Sequence, residues 1–304
     1  MTGILLALLG HALACPQVVE GSQPAFRADA ALVTVPVLVT DAKGAPVRDL
    51  QPREFRLFDN GAPRDIQHVW FEEQLPLVIG IVVDVSASQR SFLREHRAAV
   101  DAFVNRILRT GDRAFIVAVN ENVRLQAEFI GRPAGASQVF LLRGQQALGK
   151  PCGTIHGRSL CGGTALWNAV YAAAHEKLSR YTGSKALLIL SDGNDTGSTH
   201  HLDQALEEVQ RAGALVYSVR YPDPLSHISD EGLARLAAET GGAEFTAPDG
   251  NYDAIFDRIE RDLRSRYVLG VPPSEAADPV HRLRVAVTRP GLTVRARQQY
   301  VAPE

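Results

Sequence analysis

Apolar and polar residues alternate in the segment that follows the first 30 residues of the chain. In "ALVTVPVLVTD" the residues Val33, Val35, Val37 and Val39 share one face. "EFRLFD" and "RDIQHVWFE" continue the pattern as a second and a third strand, and Asn60-Gly61 between them is a turn signal typical of β-hairpins. The pattern predicts an N-terminal antiparallel β segment over residues 25–74, which is too short to bury a stable core alone.

The pattern changes at Leu77, where "LVIGIVVD" is apolar without interruption. A continuous apolar run is typical of a strand that is buried on both faces. "SFLREHRAAVDAFVNRIL" follows with helical spacing, and strands and helices then alternate along the chain. This alternation predicts an α/β domain over residues 76–266, with a doubly wound, mostly parallel sheet of the Rossmann-like type.

Period-two alternation returns in the tail, in "HRLRVAVTRPGLTVRARQQYV". The C-terminal segment, residues 267–304, is as short as the N-terminal one, and neither can be stable alone. We therefore expect the two segments to pair and to form one small antiparallel β-sandwich, with the α/β domain inserted between them.

The first residues of the chain have a pattern of their own. "MTGILLALLGHALAC" is apolar and reaches the A-x-A sequence Ala12-Leu13-Ala14, which predicts a signal peptide over residues 1–14. The protein would then be exported to the periplasm, the cell envelope or the medium. Cys15 follows the cleavage point and is a candidate for lipidation, which would be the chain's only attachment to a membrane. The alternative to a signal peptide is that these residues form a short buried helix.

Two cysteines remain in the body of the chain. Cys152 and Cys161 flank "GTIHGRSL". In an oxidising compartment we expect a disulfide between them, because an even pair of cysteines in an exported protein is usually oxidised. In a reducing cell they would be two free thiols.

Composition restricts the partners. The chain has 304 residues, of which 45% are hydrophobic and 22% charged, and its formal net charge is −2. This balance predicts neither a nucleic-acid-binding surface nor a polybasic membrane patch.

Short oxygen-bearing side chains occur where strands of the predicted sheet end. Asp84 closes the first parallel strand, with Ser86 and Ser88 just beyond it; Asp192 closes a later strand, and Thr164 begins a helix. Loops at the carboxyl ends of parallel strands meet at one edge of the sheet. Carboxylates and hydroxyls are ligands for Mg²⁺, Mn²⁺ or Ca²⁺ rather than for zinc or copper. As alternatives, Ser88 could cap the next helix and "SDGND" could be an ordinary turn.

"DVSAS", "GGTALWNAV" and "SDGND" resemble the von Willebrand factor type A domain and its metal-ion-dependent adhesion site. With the flanking β segments, the chain resembles the exported "VWFA-related" proteins of acidobacteria. The resemblance implies that Ser86, Ser88 and Thr164 ligate Mg²⁺ directly. It also implies that Asp84 and Asp192 lie close to the ion or bind it through water. A protein partner that presents an acidic residue would complete the shell, and Asp195 would lie at the rim. Ala87 stands where the family commonly has glycine.

Sequence motifs argue against catalysis. The chain has no G-x-G-x-x-G turn, no G-x-S-x-G elbow and no P-loop, and "HEKLS" lacks the second histidine of a zinc protease. We therefore expect a binding module and not an enzyme. Two alternatives stay open: an intracellular subunit of a chelatase-like or ATPase-linked assembly, and a structural envelope protein that binds nothing.

Overall fold

The computed structural model describes residues 32–72, 75–131, 153–155, 158–160, 163–221, 231–246, 252–274 and 280–301. The strands are β1 (Val33–Thr40), β2 (Phe55–Asp59), β3 (Ala62–Arg64), β4 (His68–Glu72), β5 (Leu77–Asp84), β6 (Arg113–Val119), β7 (Val123–Ile130), β8 (Gly153–Ile155), β9 (Arg158–Leu160), β10 (Ser184–Ser191), β11 (Ala214–Arg220), β12 (Ala243–Thr246), β13 (Arg266–Val271), β14 (Val280–Val287), β15 (Thr293–Ala296) and β16 (Gln299–Val301). The α-helices are α1 (Leu93–Ile107), α2 (Leu166–Ala172), α3 (Leu202–Ala212), α4 (Gly232–Thr240) and α5 (Asp253–Leu263).

The two flanking β segments form one sandwich, which confirms the predicted pairing. One sheet has the strand order β15-β1-β13-β4 and the other has the order β16-β14-β2-β3, so each sheet contains strands from both ends of the chain. Alternate residues of β1 point into the shared core, where they meet Leu57 of β2 and Tyr267 of β13. The Asn60-Gly61 turn is present, with positive φ at both residues, as a tight hairpin requires.

The prediction of one long third strand in "RDIQHVWFE" is wrong. Residues 62–64 pair with β2 in one sheet, whereas residues 68–72 pair with β13 in the other. Between them the chain crosses from sheet to sheet, and Ile66 packs against the core on the way. The inward-facing residues change phase at the crossing, from Ile66 to Val69 and Phe71, with Gln67 and His68 exposed in succession between them.

The middle of the chain forms the predicted α/β domain. Its six-stranded sheet has the order β12-β11-β10-β5-β6-β7, in which only β7 runs antiparallel to its neighbour. Helices α1 and α5 cover one face of this sheet. Helices α2, α3 and α4 cover the other face. All eight residues of β5 are buried, as expected for the central strand.

The α/β domain is inserted between β4 and β13, which are antiparallel neighbours in the sandwich. Glu72 at the end of β4 pairs in register with Arg266 at the start of β13, and their side chains form an ion pair at 3.3 Å. Nearby, Arg264 contacts the Asp112 carboxylate, which also accepts a hydrogen bond from the Leu77 amide at 2.8 Å. The Glu72–Arg266 pair lies at the junction of the two parts, and the contacts of Asp112 hold the first and last segments of the α/β domain together.

Several predictions fall on residues that the structure does not describe. The signal peptide and Cys15 lie outside the described residues, as do Cys152 and Cys161. Export, lipidation and the disulfide therefore stay predictions. Among the described helices, none has both the length and the apolar character needed to cross a membrane.

Candidate metal centre

The candidate site lies at the point where the strand order of the α/β sheet reverses. From β5 the chain continues to β6 on one side, whereas β10 lies on the other side of β5. Strands β5 and β10 are parallel and paired in register up to Val83 and Leu190, so Asp84 and Asp192 follow at the same edge. A crevice at such a reversal is where open α/β sheets bind their ligands.

Four of the five predicted donors belong to one hydrogen-bonded network. The Asp84 carboxylate accepts hydrogen bonds from the Ser86 amide at 2.9 Å and from the Ser191 hydroxyl at 2.6 Å. The hydroxyl oxygens of Ser86 and Ser88 are 3.1 Å apart. Ser88 Oγ in turn donates to Asp192 Oδ2 at 2.7 Å. Ser88 thus bonds the second carboxylate directly and Ser86 is linked to it through Ser88, within a turn in which the Gln89 amide donates to the Ser86 carbonyl at 3.2 Å.

Thr164 is held in place by its backbone, and within the described residues no hydrogen bond joins it to the four donors of this network. Its amide donates to Thr196 Oγ1 at 3.0 Å, and its carbonyl accepts the amides of Thr196 and Gly197. The next amide, of Ala165, donates to the carbonyl of Asn120, which follows β6. Thr164 is therefore fixed between the loop after β10 and the end of β6. Its hydroxyl makes no hydrogen bond to a described residue and remains available to a ligand.

Electrostatics at the site favour a cation. Asp84 is fully buried, and this burial, together with the negative charge of Asp192, raises the pKa of Asp84 to about 7 against the opposing hydrogen bonds of Ser191 and Ser86. Neither carboxylate forms an ion pair with a described side chain; the Arg220 guanidinium donates to the Asp192 backbone carbonyl at 3.4 Å and pairs with Glu244. Two adjacent buried carboxylates without a counter-ion are the environment that a divalent ion stabilises.

The donor set itself fits a hard cation. Within the described residues, no group of three His, Cys, Asp or Glu side chains is placed to hold a metal ion. A metal at this site must therefore be held by the mixed set of two carboxylates and hydroxyls. Oxygen donors of this kind suit Mg²⁺, Mn²⁺ or Ca²⁺.

The capping alternative for Ser88 is wrong. A 3-10 turn over Arg90–Phe92 precedes α1, and neither Gln89 nor Phe92 at the cap positions makes a side-chain cap. The hydroxyl of Ser88 is bonded across the crevice to Asp192 instead. The turn alternative for "SDGND" holds in part, because Asp192 Oδ1 accepts the Asn194 amide at 2.9 Å while Oδ2 faces Ser88.

Asp195, the predicted rim residue, is tied to the start of α2. Its Oδ1 accepts hydrogen bonds from the Trp167 amide at 3.2 Å and from the Ser198 hydroxyl at 2.5 Å. A carboxylate at a helix N-terminus satisfies amides that would otherwise lack partners. Asp195 therefore stabilises the start of the helix that begins two residues after Thr164.

Three residues that the sequence reasoning missed support the site. Ser191 donates to Asp84, Gln89 Nε2 donates to Asp192 Oδ2 at 2.9 Å, and the buried His96 ring lies 3.1 Å from the Asp84 carbonyl through Nδ1. Ser191 could have been found, since it is a hydroxyl at a strand end beside a predicted ligand. Nothing in the local sequence singles out Gln89 or His96.

Comparison with known proteins concerns the fold. No family model matches the sequence, and no curated protein matches it. Among solved structures, the chain is similar to BatB from Bacteroides thetaiotaomicron, with 16% identity, a TM-score of 0.48, and coverage of 62% of this chain and 100% of that one. A von Willebrand factor type A protein from Catenulispora acidiphila matches with 14% identity and a TM-score of 0.46 over 91% of this chain and 75% of its own.

A third similar structure is proximal thread matrix protein 1 from the mussel byssus with a zinc-occupied MIDAS motif. It shares 14% identity, with a TM-score of 0.48 over 67% of this chain and 49% of its own. Likeness at these identities concerns the fold, and the site described above stands on the geometry of this chain. In its motifs, the chain resembles proteins that contain a von Willebrand factor type A domain.

Proposed function

We propose that this chain is a divalent-metal-dependent protein-binding module, in which an acidic residue of a partner protein completes the coordination of the bound ion. The observation that supports this proposal is the network at the strand-order reversal. There Ser86 and Ser88 connect the buried carboxylate of Asp84 to that of Asp192, and neither carboxylate has a cationic partner among the described side chains. We propose Mg²⁺ as the ion, with Mn²⁺ or Ca²⁺ as alternatives.

The roles of the residues follow from their contacts. The hydroxyls of Ser86, Ser88 and Thr164 would be direct ligands, because each can present an oxygen lone pair to the crevice. Asp84 is held through both carboxylate oxygens by Ser86 and Ser191. It would therefore provide negative charge and hold the Ser86 loop in place. Asp192, held by Gln89, would supply the second negative charge. When bound, the ion supplies a Lewis-acidic centre that attracts a carboxylate.

Charge and ligand number explain why a partner would be needed. Mg²⁺ prefers six oxygen ligands in near-octahedral geometry. Three neutral hydroxyls fill three positions, and the remaining ones are left to water, to the two aspartates or to an incoming carboxylate. Ser88 and Asn194 are partly exposed, so a side chain of a partner can approach this edge of the sheet.

We further propose that the module works outside the cytoplasm and that it catalyses no reaction. The first part rests on the apolar N-terminal stretch with its A-x-A sequence. The second rests on the chemistry of the site, whose proposed donors are two carboxylates and three hydroxyls, a set suited to holding an ion.

Metal binding is tested first with the ion alone. Isothermal titration with Mn²⁺ and Mg²⁺ is compared for the wild type, Ser88→Ala, Thr164→Ala and the control Thr199→Ala, which removes an exposed hydroxyl bonded to Asn168. We expect the first two variants to lose saturable binding and the control to retain it. Equal metal affinity in all four proteins would overturn the proposed site.

Partner binding is tested by capture from envelope and medium fractions in Mg²⁺, repeated with EDTA and with Thr164→Ala. The proposal is supported by a protein that the wild type retains in Mg²⁺ but that is not retained in EDTA or by Thr164→Ala. Replacement of a single acidic residue in that captured protein should also abolish its retention. Retention that is unaffected by chelation and by the variant would contradict it.

A further inference from the structure

The described part of the chain contains a second candidate binding site, remote from the metal centre. A groove of about 770 Å³ lies between the C-terminal end of α4 and strands β14 and β15 of the sandwich. It shares no lining residue with the metal centre. Its charged lining consists of five arginines and one glutamate: Arg235, Arg282, Arg284, Arg295, Arg297 and Glu239.

Acidic residues neutralise only two of these arginines within the described chain. Arg235 pairs with Glu239 at 2.7 Å and with Asp203 at 2.7 Å. Arg295 contacts the Asp262 carboxylate. The other three arginines form no ion pair with any described acidic side chain. The guanidinium of Arg284 instead stacks 3.9 Å above the ring of Phe58. The groove therefore carries an excess of positive charge.

Arg297 is the most informative of these residues. It is only 9% exposed, and its Nε has no hydrogen-bond partner among the described residues. Its charged group lies 5.6 Å from the Tyr300 ring centre, which is a weak substitute for a counter-ion. Burial lowers the pKa of Arg297 to about 10, so the charge is retained at neutral pH at a cost in solvation. A buried cation without an anion marks a place where an anionic ligand would be stabilised.

Arginine is also the side chain best suited to phosphate and sulfate. Its planar guanidinium can donate two parallel hydrogen bonds to two oxygens of the same group. Three such arginines in one groove exceed what a single carboxylate would need. The volume is in the range of small-molecule sites, about 300–1,000 Å³, and is larger than a single inorganic ion requires.

We propose that this groove binds a ligand that carries two or more phosphate or sulfate groups, held by Arg282, Arg284 and Arg297. The shared chemistry is a polyvalent oxyanion, and the ligand could be a phosphorylated small molecule or a sulfated sugar. The ligand would contact the α/β domain through α4 and the sandwich through β14, so it would bridge the two parts of the protein.

The test is isothermal titration of the full chain with inositol hexakisphosphate, a fully sulfated disaccharide and inorganic phosphate, with unsubstituted inositol as the uncharged control. The variants are Arg297→Gln and the double variant Arg282→Gln/Arg284→Gln. The matched control is Arg53→Gln, which removes an exposed positive charge elsewhere on the sandwich. Arg297 is buried, so Arg297→Gln could fail to fold. The double variant replaces two exposed arginines and therefore tests the site without this risk.

We expect saturable binding of one polyvalent probe by the wild type and by Arg53→Gln. The double variant should lose affinity by about tenfold or more, since the hydrogen bonds of two charged groups are removed. The probe that binds more tightly distinguishes a phosphorylated from a sulfated ligand. Binding should persist in EDTA and in Asp84→Ala, which separates this site from the metal centre. Failure of both polyvalent probes to bind the wild type, or equal affinity in the double variant and Arg53→Gln, would overturn the proposal.

Discussion

The substitution Asp84→Asn should stabilise the metal-free protein while it abolishes metal binding. In the folded protein without metal, the carboxyl group of Asp84 is fully buried beside Asp192, and its pKa is raised from 3.8 to about 7. Ionisation at this position therefore destabilises the fold. Asparagine has nearly the same shape and carries no charge, so it removes this cost.

The magnitude can be worked from the same pKa. Each pKa unit corresponds to about 1.4 kcal/mol, so the rise from 3.8 to about 7 costs roughly 4 kcal/mol above pH 7. Against this, the asparagine side chain places an amide donor where one carboxylate oxygen stood, and the hydrogen bond from the Ser191 hydroxyl is worth about 1–2 kcal/mol. We expect a net gain of about 2 kcal/mol in the free energy of unfolding at pH 8.

The difference in the free energy of unfolding between Asp84→Asn and the wild type should change with pH in a defined direction. Well below pH 3.8, Asp84 is protonated in both the folded and the unfolded chain, so the wild type bears no charge penalty. As the pH rises from 3.8 to about 7, the unfolded chain releases the proton while the folded chain keeps it, and the wild type loses stability relative to Asp84→Asn. Above about pH 7 the difference should be constant.

The assay is urea unfolding in EDTA at about pH 4, 5.5, 7 and 8, followed by repetition at about pH 8 in saturating Mg²⁺. The control variant is Asp65→Asn, which neutralises an exposed aspartate of the sandwich. Metal should stabilise the wild type and the control but not Asp84→Asn, because only a folded, charged site binds the ion. If Asp84→Asn is less stable than the wild type at high pH in EDTA, or is stabilised by Mg²⁺ as strongly as the wild type, the reasoning is refuted.

Two further predictions concern the fold. Removal of residues 278–304 should make residues 32–72 sensitive to limited proteolysis, because β14 and β15 pair with β2 and β1; unchanged protease resistance of the N-terminal strands would contradict this. Gly242→Ala should severely destabilise the fold and lower its melting temperature, because an added Cβ would overlap the backbone carbonyl of Val216. Gly61→Gln, at a turn with a positive φ but open space around it, should lower the free energy of unfolding by only about 1 kcal/mol. Similar losses of stability in the two variants would count against the close packing at Gly242.

The architecture could be predicted because each segment follows a simple period. The buried run of β5 and the alternation in β1 each have one structural interpretation, and two β fragments that cannot fold alone leave few options besides pairing. The split of "RDIQHVWFE" was not predicted, because its local sign, a one-residue change of phase between Ile66 and Val69, also fits a bulge within one strand and does not show which sheet residues 68–72 join. That information resides in β13, far along the chain, to which β4 pairs.

The candidate site likewise has residues that the sequence predicts and residues that it does not. Its five predicted donors follow from strand ends and motif spacing, and the structure connects Asp84, Ser86, Ser88 and Asp192 directly. The supporting residues depend on tertiary packing. Gln89 reaches Asp192 across 103 positions of sequence, and no local pattern encodes that contact.

The arginine groove was not predicted from sequence for a related reason. Its arginines come from α4, β14, β15 and the loop after β15, and in the sequence they look like ordinary solvated charges on alternating strands. Only the folded chain shows that Arg297 is buried and that its Nε has no partner among the described residues.

The pairing of Glu72 with Arg266 has a consequence for the modularity of the chain. Because the residues at which the α/β domain leaves and rejoins the sandwich are direct partners in an antiparallel ladder, a short hairpin turn could connect them. The described sandwich strands would then run as one uninterrupted fold, and the domain between residues 73 and 265 could be exchanged for another whose termini lie equally close. The sandwich could therefore accept a different domain at this position, in place of the α/β domain that it carries here.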